Sequence, residues 1–212
     1  LMRTEALGKL PPRYCEYLSA IHLGGNRLSR VVEDTLDFVQ IEQGERRLAR
    51  AEMDLAALLA VAVQRSAGMA ADCGVVLRLE EDGGPLLVEG DEAAVLRILS
   101  ILIENAIAFG PSGDAVELRA MEDDATIILE VADRGPVMPP NFVASTFEPF
   151  GVGLRPEQRT GEGAGVGLAV AGRLAALLGG DLPFRDREGG GMKARLLLPR
   201  ASGMRSGVHR AA

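Results

Sequence analysis

The chain has 212 residues, of which 47% are hydrophobic and 25% charged, a balance typical of a globular protein with one domain of ordinary size and a smaller appended element. Its net charge of -7 argues against general binding to nucleic acid or to anionic membranes, since both require a basic face. Trp is absent, and no apolar run reaches the roughly 18 residues that a membrane-spanning helix needs. Composition thus predicts no nucleic-acid partner and no membrane contact for this part of the chain.

The two cysteines, Cys15 and Cys73, belong to no CxxC motif and no Cys/His cluster. Isolated cysteines of this kind are typical of reduced thiols in a cytoplasmic protein, and we expect a cytoplasmic location. The first residue is not Met, which favours a parent protein with further sequence upstream.

A long helix is predicted from about Arg13 to Gln43, after the Pro11-Pro12 pair. One side of this helix carries an apolar stripe at spacings of three, four and seven residues: Leu18, Ile21, Leu28, Val32, Leu36 and Val39. Such a stripe requires a partner helix to cover it. The pattern alone leaves open whether that partner lies in the same chain or in a dimer bundle.

The remainder alternates short strands with helices. A strand over 48–55 leads into a helix capped by Asp54, and a second helix over 92–109 is capped by Asp91. Strands 75–80 and 86–88 flank the Asp82-Gly83-Gly84 turn as a hairpin, and strands 115–120 and 126–132 form another. A helix over 165–178 precedes two closing strands, 181–185 and 192–198. Hairpin-paired strands with helices on one face predict an α+β fold, a two-layer α/β sandwich.

The strongest local signal for chemistry is the run Gly163-Ala164-Gly165-Val166-Gly167-Leu168, which opens a helix. Glycines at alternate positions let backbone N–H groups approach an anion, and the helix N-terminus adds partial positive charge. Phosphate binding is one interpretation. A glycine-rich turn without any ligand is the other.

Three further segments are candidates when taken with this run. Asn105, near the end of its helix, offers a carboxamide oxygen of the type that Mg²⁺ accepts, or is a hinge residue. Asp133-Arg134-Gly135 follows an apolar strand and offers a carboxylate to a ligand's amino group, or is a simple turn. Phe147 and Phe150, in a long Gly- and Pro-rich loop, are anchors of a mobile lid or members of a small satellite core.

The order of these four segments resembles the N, G1, F and G2 boxes of the histidine kinase ATP-binding domain, a group shared with gyrase, the Hsp90 chaperones and MutL. The resemblance covers residues 50–199. Upstream, the segments 17–22, 32–38 and 41–44 resemble the second helix of the dimerisation and phosphoacceptor hairpin of sensor histidine kinases. This implies a partial hairpin over 1–46 that lacks the phosphoacceptor histidine, an ATP-binding domain over 47–200, and a disordered tail over 201–212.

The resemblance also implies roles for individual residues. Asn105 would hold Mg²⁺ at the phosphates of ATP, Asp133 would accept a hydrogen bond from the adenine amine, and Gly135 would leave room for the base. Phe109 and Leu168 would wall the pocket. The remaining members would line the phosphates (Gly163, Gly165 and Gly167) or belong to the lid (Phe147, Phe150, Arg155 and Arg159).

The chain departs from the family pattern at several positions. Neither His22 nor His209 is followed by an acidic residue, so neither is expected to be the phosphoacceptor. Ile101 stands where many members have a first Asn, Ala108 where a Lys or Arg is common, and Val137 where the second Gly of the G1 box is expected.

The implied function is the catalytic region of a two-component sensor histidine kinase, which transfers the γ-phosphoryl group of ATP to a histidine upstream of this chain and then to a response-regulator aspartate. Homodimerisation through the hairpin is part of this expectation. The chain alone is not expected to autophosphorylate. The alternative is a pseudokinase, a regulatory module that binds nucleotide weakly or not at all and acts through its helices.

Overall fold

The computed structural model describes residues 11–80, 84–123, 125–137 and 166–200. The helices of this part of the chain are α1 (Pro12–Glu42), α2 (Leu55–Asp72), α3 (Glu92–Phe109) and α4 (Gly167–Leu177). The strands are β1 (Ala51–Asp54), β2 (Val76–Glu80), β3 (Leu87–Gly90), β4 (Ala115–Glu122), β5 (Thr126–Ala132), β6 (Phe184–Asp186) and β7 (Met192–Pro199).

The main sheet has five strands in the order β2-β4-β5-β7-β6. All neighbouring pairs are antiparallel except β2 and β4, which are parallel. Helix α3 packs between α2 and α4, and the three helices contact the sheet. The predicted two-layer α/β sandwich is confirmed.

The two faces of the sheet follow from residue alternation along its central strands. Leu118, Leu129 and Leu196 point to the helices and are fully buried. On the opposite face Glu130 lies in register between Arg119 and Arg195, with salt bridges of 2.8 and 2.6 Å to their guanidinium groups. This row fixes the register of three strands and explains how a carboxylate can be 2% exposed.

The predicted hairpin between strands 75–80 and 86–88 is wrong. Strand β3 pairs with β1 in a separate two-stranded sheet, with Met53 opposite Val88, while β2 joins the main sheet beside β4. The reason lies in Asp54, whose Oδ1 accepts hydrogen bonds from the N–H groups of Ala56 and Leu86 at 3.0 and 2.9 Å. One carboxylate thus caps α2 and holds the segment before β3 against β1.

Within the described residues α2 is the one helix with the length and apolar character to cross a membrane. Its buried positions include Leu55, Leu59 and Ala62, and it packs against α3 and the sheet. These contacts are those of a core helix of the sandwich.

Helix α1 has the predicted extent, and its apolar stripe is not covered by any described part of the chain. The large side chains of the stripe are 41–69% exposed: Ile21, Leu28, Val32, Leu36 and Val39. On another side of the helix Phe38 and Ile41 pack against the core of the sandwich. Helix α1 therefore presents two different faces. The Cys73 thiol is free, as expected for a reduced cysteine, but it is exposed and not partly buried.

Asp91 joins the start of α3 to the linker that precedes β1. Its carboxylate accepts from the Ala94 N–H at 2.8 Å and from the Ala49 N–H at 2.7 Å. Burial acts to raise the pKa of Asp91, but these hydrogen bonds and the nearby Arg46 guanidinium outweigh it, so the pKa lies below its usual 3.8. The ionised carboxylate is therefore the form that stabilises the fold.

We expect Asp91→Ala to lower the free energy of unfolding by about 2 kcal/mol at pH 7, because it removes a helix cap and leaves the Ala49 amide without its partner. A depressed pKa stabilises the fold above the unfolded-state value and loses this effect as the pH falls through the folded-state value. The difference between wild type and variant, measured by urea denaturation, should therefore shrink below pH 3.8. Asp186→Ala, at an exposed position of β6, is the control; an equal loss there would contradict this role of Asp91.

Candidate functional site

The candidate site is organised along one side of α3. Ile101, Asn105 and Phe109 follow each other at intervals of four residues and so share one face of the helix. Ile101 is buried, Asn105 is half-buried and Phe109 is 42% exposed. The polar Asn105 therefore lies between buried Ile101, at the inner end of this face, and exposed Phe109, at its outer end.

The G1 segment, residues 133–135, lies against the outer end of this face of α3, at Phe109. A Cβ placed on Gly135 would be 2.7 Å from the carbonyl oxygen of Phe109 and 3.0 Å from Asp133 Oδ1, closer than ordinary packing permits. Glycine at position 135 thus allows the chain after β5 to pass directly over the last turn of α3. The predicted proximity of Asp133, Gly135 and Phe109 is present in the structure.

Asp133 is held in a fixed orientation at the end of β5. The Gly135 N–H donates to its Oδ1 at 2.7 Å, and its own N–H donates to the Met192 carbonyl at 2.9 Å. Burial raises the pKa of the Asp133 carboxyl, while hydrogen bonds from the Gly135 and Met192 backbone and the charge of Arg187 act against this shift. A carboxylate offers about four acceptor positions, so Asp133 can accept from a ligand in addition to these backbone donors.

The inner end of this face of α3, at Ile101, meets the first turn of α4. A Cβ on Gly167, the first residue of α4, would lie 3.4 Å from Ile101 Cγ2. Val166 precedes it and gives the helix no side-chain cap from the described residues. Leu168 packs half-buried against the core. The N-terminus of α4, with its partial positive charge, is therefore placed one helical turn from Asn105.

The Asn105 side chain suits a magnesium site in which phosphates supply further ligands. Asn105 is half-buried, and its carboxamide oxygen is of the kind that Mg²⁺ accepts. The described part of the chain has no group of three or more His, Cys, Asp or Glu side chains that could hold a metal. Mg²⁺ commonly keeps several waters and binds one or two protein oxygens plus substrate phosphates, and a single Asn is consistent with that mode.

Several predicted site residues lie outside the described residues: Gly163, Gly165, Phe147, Phe150, Arg155 and Arg159, together with His209. Of the departures from the family pattern, Ile101 is buried, whereas Ala108 and Val137 are exposed. His22 is an exposed residue of α1.

Sequence patterns gave no indication of a charged cluster where α1 meets α3. Arg97, one turn before Ile101, donates from Nη2 to Asp34 Oδ1 at 2.7 Å and from Nε to Asp37 Oδ2 at 2.8 Å. Arg30 pairs with Glu104 at 2.9 Å. Because 63 residues separate Asp34 from Arg97, no local motif could reveal this pair.

Gly135→Ala should lower the thermal unfolding midpoint and weaken any ligand bound beside Phe109, because the new Cβ would push the G1 segment off the last turn of α3. Gly68→Ala is the matched control, since nothing lies within 4 Å of a Cβ there. In the interior of α2 this control should be neutral or stabilising by roughly 0.5–1 kcal/mol. Equal unfolding midpoints for the two variants would show that the close approach at Gly135 is unimportant.

Comparison with known proteins identifies the family of the chain. The family model of histidine kinase-, DNA gyrase B- and HSP90-like ATPases matches residues 90–202, more than half of the sequence. The histidine protein kinase DivJ of Caulobacter vibrioides is 31% identical over 199 residues, which cover 94% of this chain and 33% of DivJ. The chain thus spans about a third of the length of that relative.

Solved structures agree with this assignment. Full-length ShkA in complex with AMPPNP matches with a TM-score of 0.71 and 28% identity over 94% of this chain and 41% of ShkA. The complex of histidine kinase ThkA with the response regulator TrrA matches with a TM-score of 0.70 over 96% of this chain and 56% of that one. At 20% identity the latter shows a shared fold alone.

The family match extends over the same segments that place Asp133, Gly135, Asn105 and Gly167 along α3. The chain therefore belongs to the histidine kinase-, DNA gyrase B- and HSP90-like ATPases and is an ATP-binding region of the sensor histidine kinase type.

Proposed function

We propose that this chain binds Mg-ATP along the Ile101–Asn105–Phe109 side of α3 and that, in the whole protein, it donates the γ-phosphoryl group to a histidine outside the chain. The observation that supports this most directly is the placement of two complementary features at opposite ends of one helix face. The fixed carboxylate of Asp133 lies at the outer end, and the N-terminus of α4 lies at the inner end. A nucleotide has the same polarity, with a base at one end and phosphates at the other.

Each described residue takes a defined part in this arrangement. The Asp133 carboxylate accepts a hydrogen bond from the exocyclic amine of adenine, while Gly135 leaves the space that the base occupies beside Phe109. Leu168 closes the pocket near the first turn of α4. The backbone N–H of Gly167 faces the phosphates. Outside the described residues, we propose the same role for Gly163 and Gly165 and a place in the lid for Phe147, Phe150, Arg155 and Arg159.

Asn105 would hold Mg²⁺ at the phosphates, where the bound ion would neutralise charge that develops on the transferred phosphoryl group. The chain's own contribution is positioning and electrostatics. The nucleophile is the imidazole of a histidine on the first hairpin helix, which attacks phosphorus as the bond to the β–γ bridging oxygen breaks and ADP leaves.

The partners of the whole protein follow from the same assignment. ThkA forms a complex with the response regulator TrrA. We propose an equivalent partner here, a receiver domain whose aspartate accepts the phosphoryl group from the histidine. We also propose a cytoplasmic location and a homodimer that buries the exposed stripe of α1 against a second copy.

Asp133→Asn should weaken Mg-ATP binding roughly 10- to 100-fold, equivalent to about 1–3 kcal/mol. The amide oxygen can keep the Gly135 hydrogen bond, but the NH₂ group would then face the adenine amine, donor against donor. Isothermal titration calorimetry measures this, with Asp72→Asn as a control that keeps wild-type affinity. A correctly folded wild-type chain that fails to bind Mg-ATP would reject the kinase proposal and leave the pseudokinase alternative.

The double variant Val32→Glu/Leu36→Glu should convert a dimer to a monomer, since it places charges in the centre of the apolar stripe. Ala20→Glu adds one such charge on an exposed side of α1 away from the stripe and should remain dimeric. Sedimentation equilibrium of the three proteins measures this. A wild-type chain that stays monomeric at high micromolar concentration would contradict dimerisation through α1.

A further inference from the structure

Helix α1 carries a charged face that contacts the nucleotide-binding domain at the phosphate end of the site. On this face Arg30 pairs with Glu104, and both Asp34 and Asp37 pair with Arg97. Residues 30, 34 and 37 are spaced by four and three and so share one side of the helix. All of these pairs connect α1 to α3, close to Asn105.

Asp34 also reaches α4. Its Oδ2 would lie 3.1 Å from a Cβ on Gly167, and Ile101 Cγ2 would lie 3.4 Å from the same point. The Asp34 side chain is only 13% exposed. One oxygen of this carboxylate therefore binds Arg97 while the other lies against the first residue of the helix whose N-terminus would face the phosphates.

The local charge does not balance. Among the described residues, three carboxylates (Asp34, Asp37 and Glu104) meet two guanidinium groups (Arg30 and Arg97). Arg97 is shared between two of the carboxylates, so Asp34 is incompletely neutralised. Buried charges are screened less than exposed ones, so the excess negative charge acts on the adjacent phosphate site.

We propose that Asp34 opposes the phosphates of the bound nucleotide, so that Mg-ATP binding and the docking of α1 on α4 compete with each other. This inference rests on the proposed function and assigns its regulation to a residue of α1. The carboxylate repels the phosphate chain and leaves adenine recognition at the other end of the site untouched. While α1 is docked on α4, Asp34 thus lowers the affinity for a nucleoside triphosphate. Any movement of α1 that withdraws Asp34 from Gly167 raises the affinity for Mg-ATP.

Asp34→Asn in the 212-residue chain tests the proposal, because it removes the charge and keeps the size of the side chain. Affinities for Mg-ATP, Mg-ADP and adenosine are measured by calorimetry. We expect the variant to bind Mg-ATP about tenfold more tightly, to bind Mg-ADP more tightly by a smaller factor, and to bind adenosine as the wild type does. Glu33→Gln is the matched control: it removes one exposed carboxylate of α1 that belongs to none of these ion pairs, and should leave the Mg-ATP affinity within about twofold.

The possible results separate the inference from the proposed function. Unchanged or weaker Mg-ATP binding by Asp34→Asn, with wild-type thermal stability, overturns the inference alone. An equal gain for adenosine also overturns it, since the effect would then not involve phosphates. If neither the wild type nor the variant binds any of the three ligands, the proposed function fails and the inference fails with it.

Discussion

The burial of α3 between α2, α4 and the sheet is the constraint on which the other features depend. Ile98, Leu99 and Ile103 are fully buried, so the helix cannot rotate about its axis without exposing large aliphatic side chains to water. This fixes the direction of the remaining face, on which Arg97, Ile101, Asn105 and Phe109 follow at intervals of four residues. Contacts with α1, α4 and the G1 segment are therefore arranged along one rigid element. A ligand site built on such an element keeps its geometry better than one built on loops.

Helix α1 combines two faces with different chemistry. Its apolar stripe is exposed, whereas its charged residues contact α3 and its Phe38 packs on the sandwich core. Because both faces belong to one helix, the dimerisation proposed at the stripe and the nucleotide binding proposed near Gly167 would act on the same rigid body. A rotation of α1 that changes one contact must change the other. Under these two proposals, association of the chain and occupancy of the site are physically connected.

Sequence patterns predicted the features that depend on neighbours in the chain. The extent of α3, its Asp91 cap and the β4–β5 hairpin all arise from local periodicity and turn chemistry. The partner of β3 was predicted wrongly: it is β1 and not β2. This pairing is decided by Asp54, which binds the Leu86 amide 32 residues away. The site was predicted from the order of its motifs, and the structure brings together those that it describes. Asp34 escaped prediction because its role depends on Arg97 and Gly167, which are distant in sequence.

Ile101 and Asp34 together suggest how this chain departs from the pattern that its motifs resemble. Where many members of the family have a polar Asn, Ile101 presents a methyl group to Gly167 and can neither bind phosphate nor hold water there. The polar group that approaches Gly167 comes instead from α1, and it is a carboxylate. A neutral Asn on α3 would favour phosphates in every arrangement of the two helices. A carboxylate on α1 disfavours them only while α1 is docked, so under the proposed competition the nucleotide affinity depends on the position of α1.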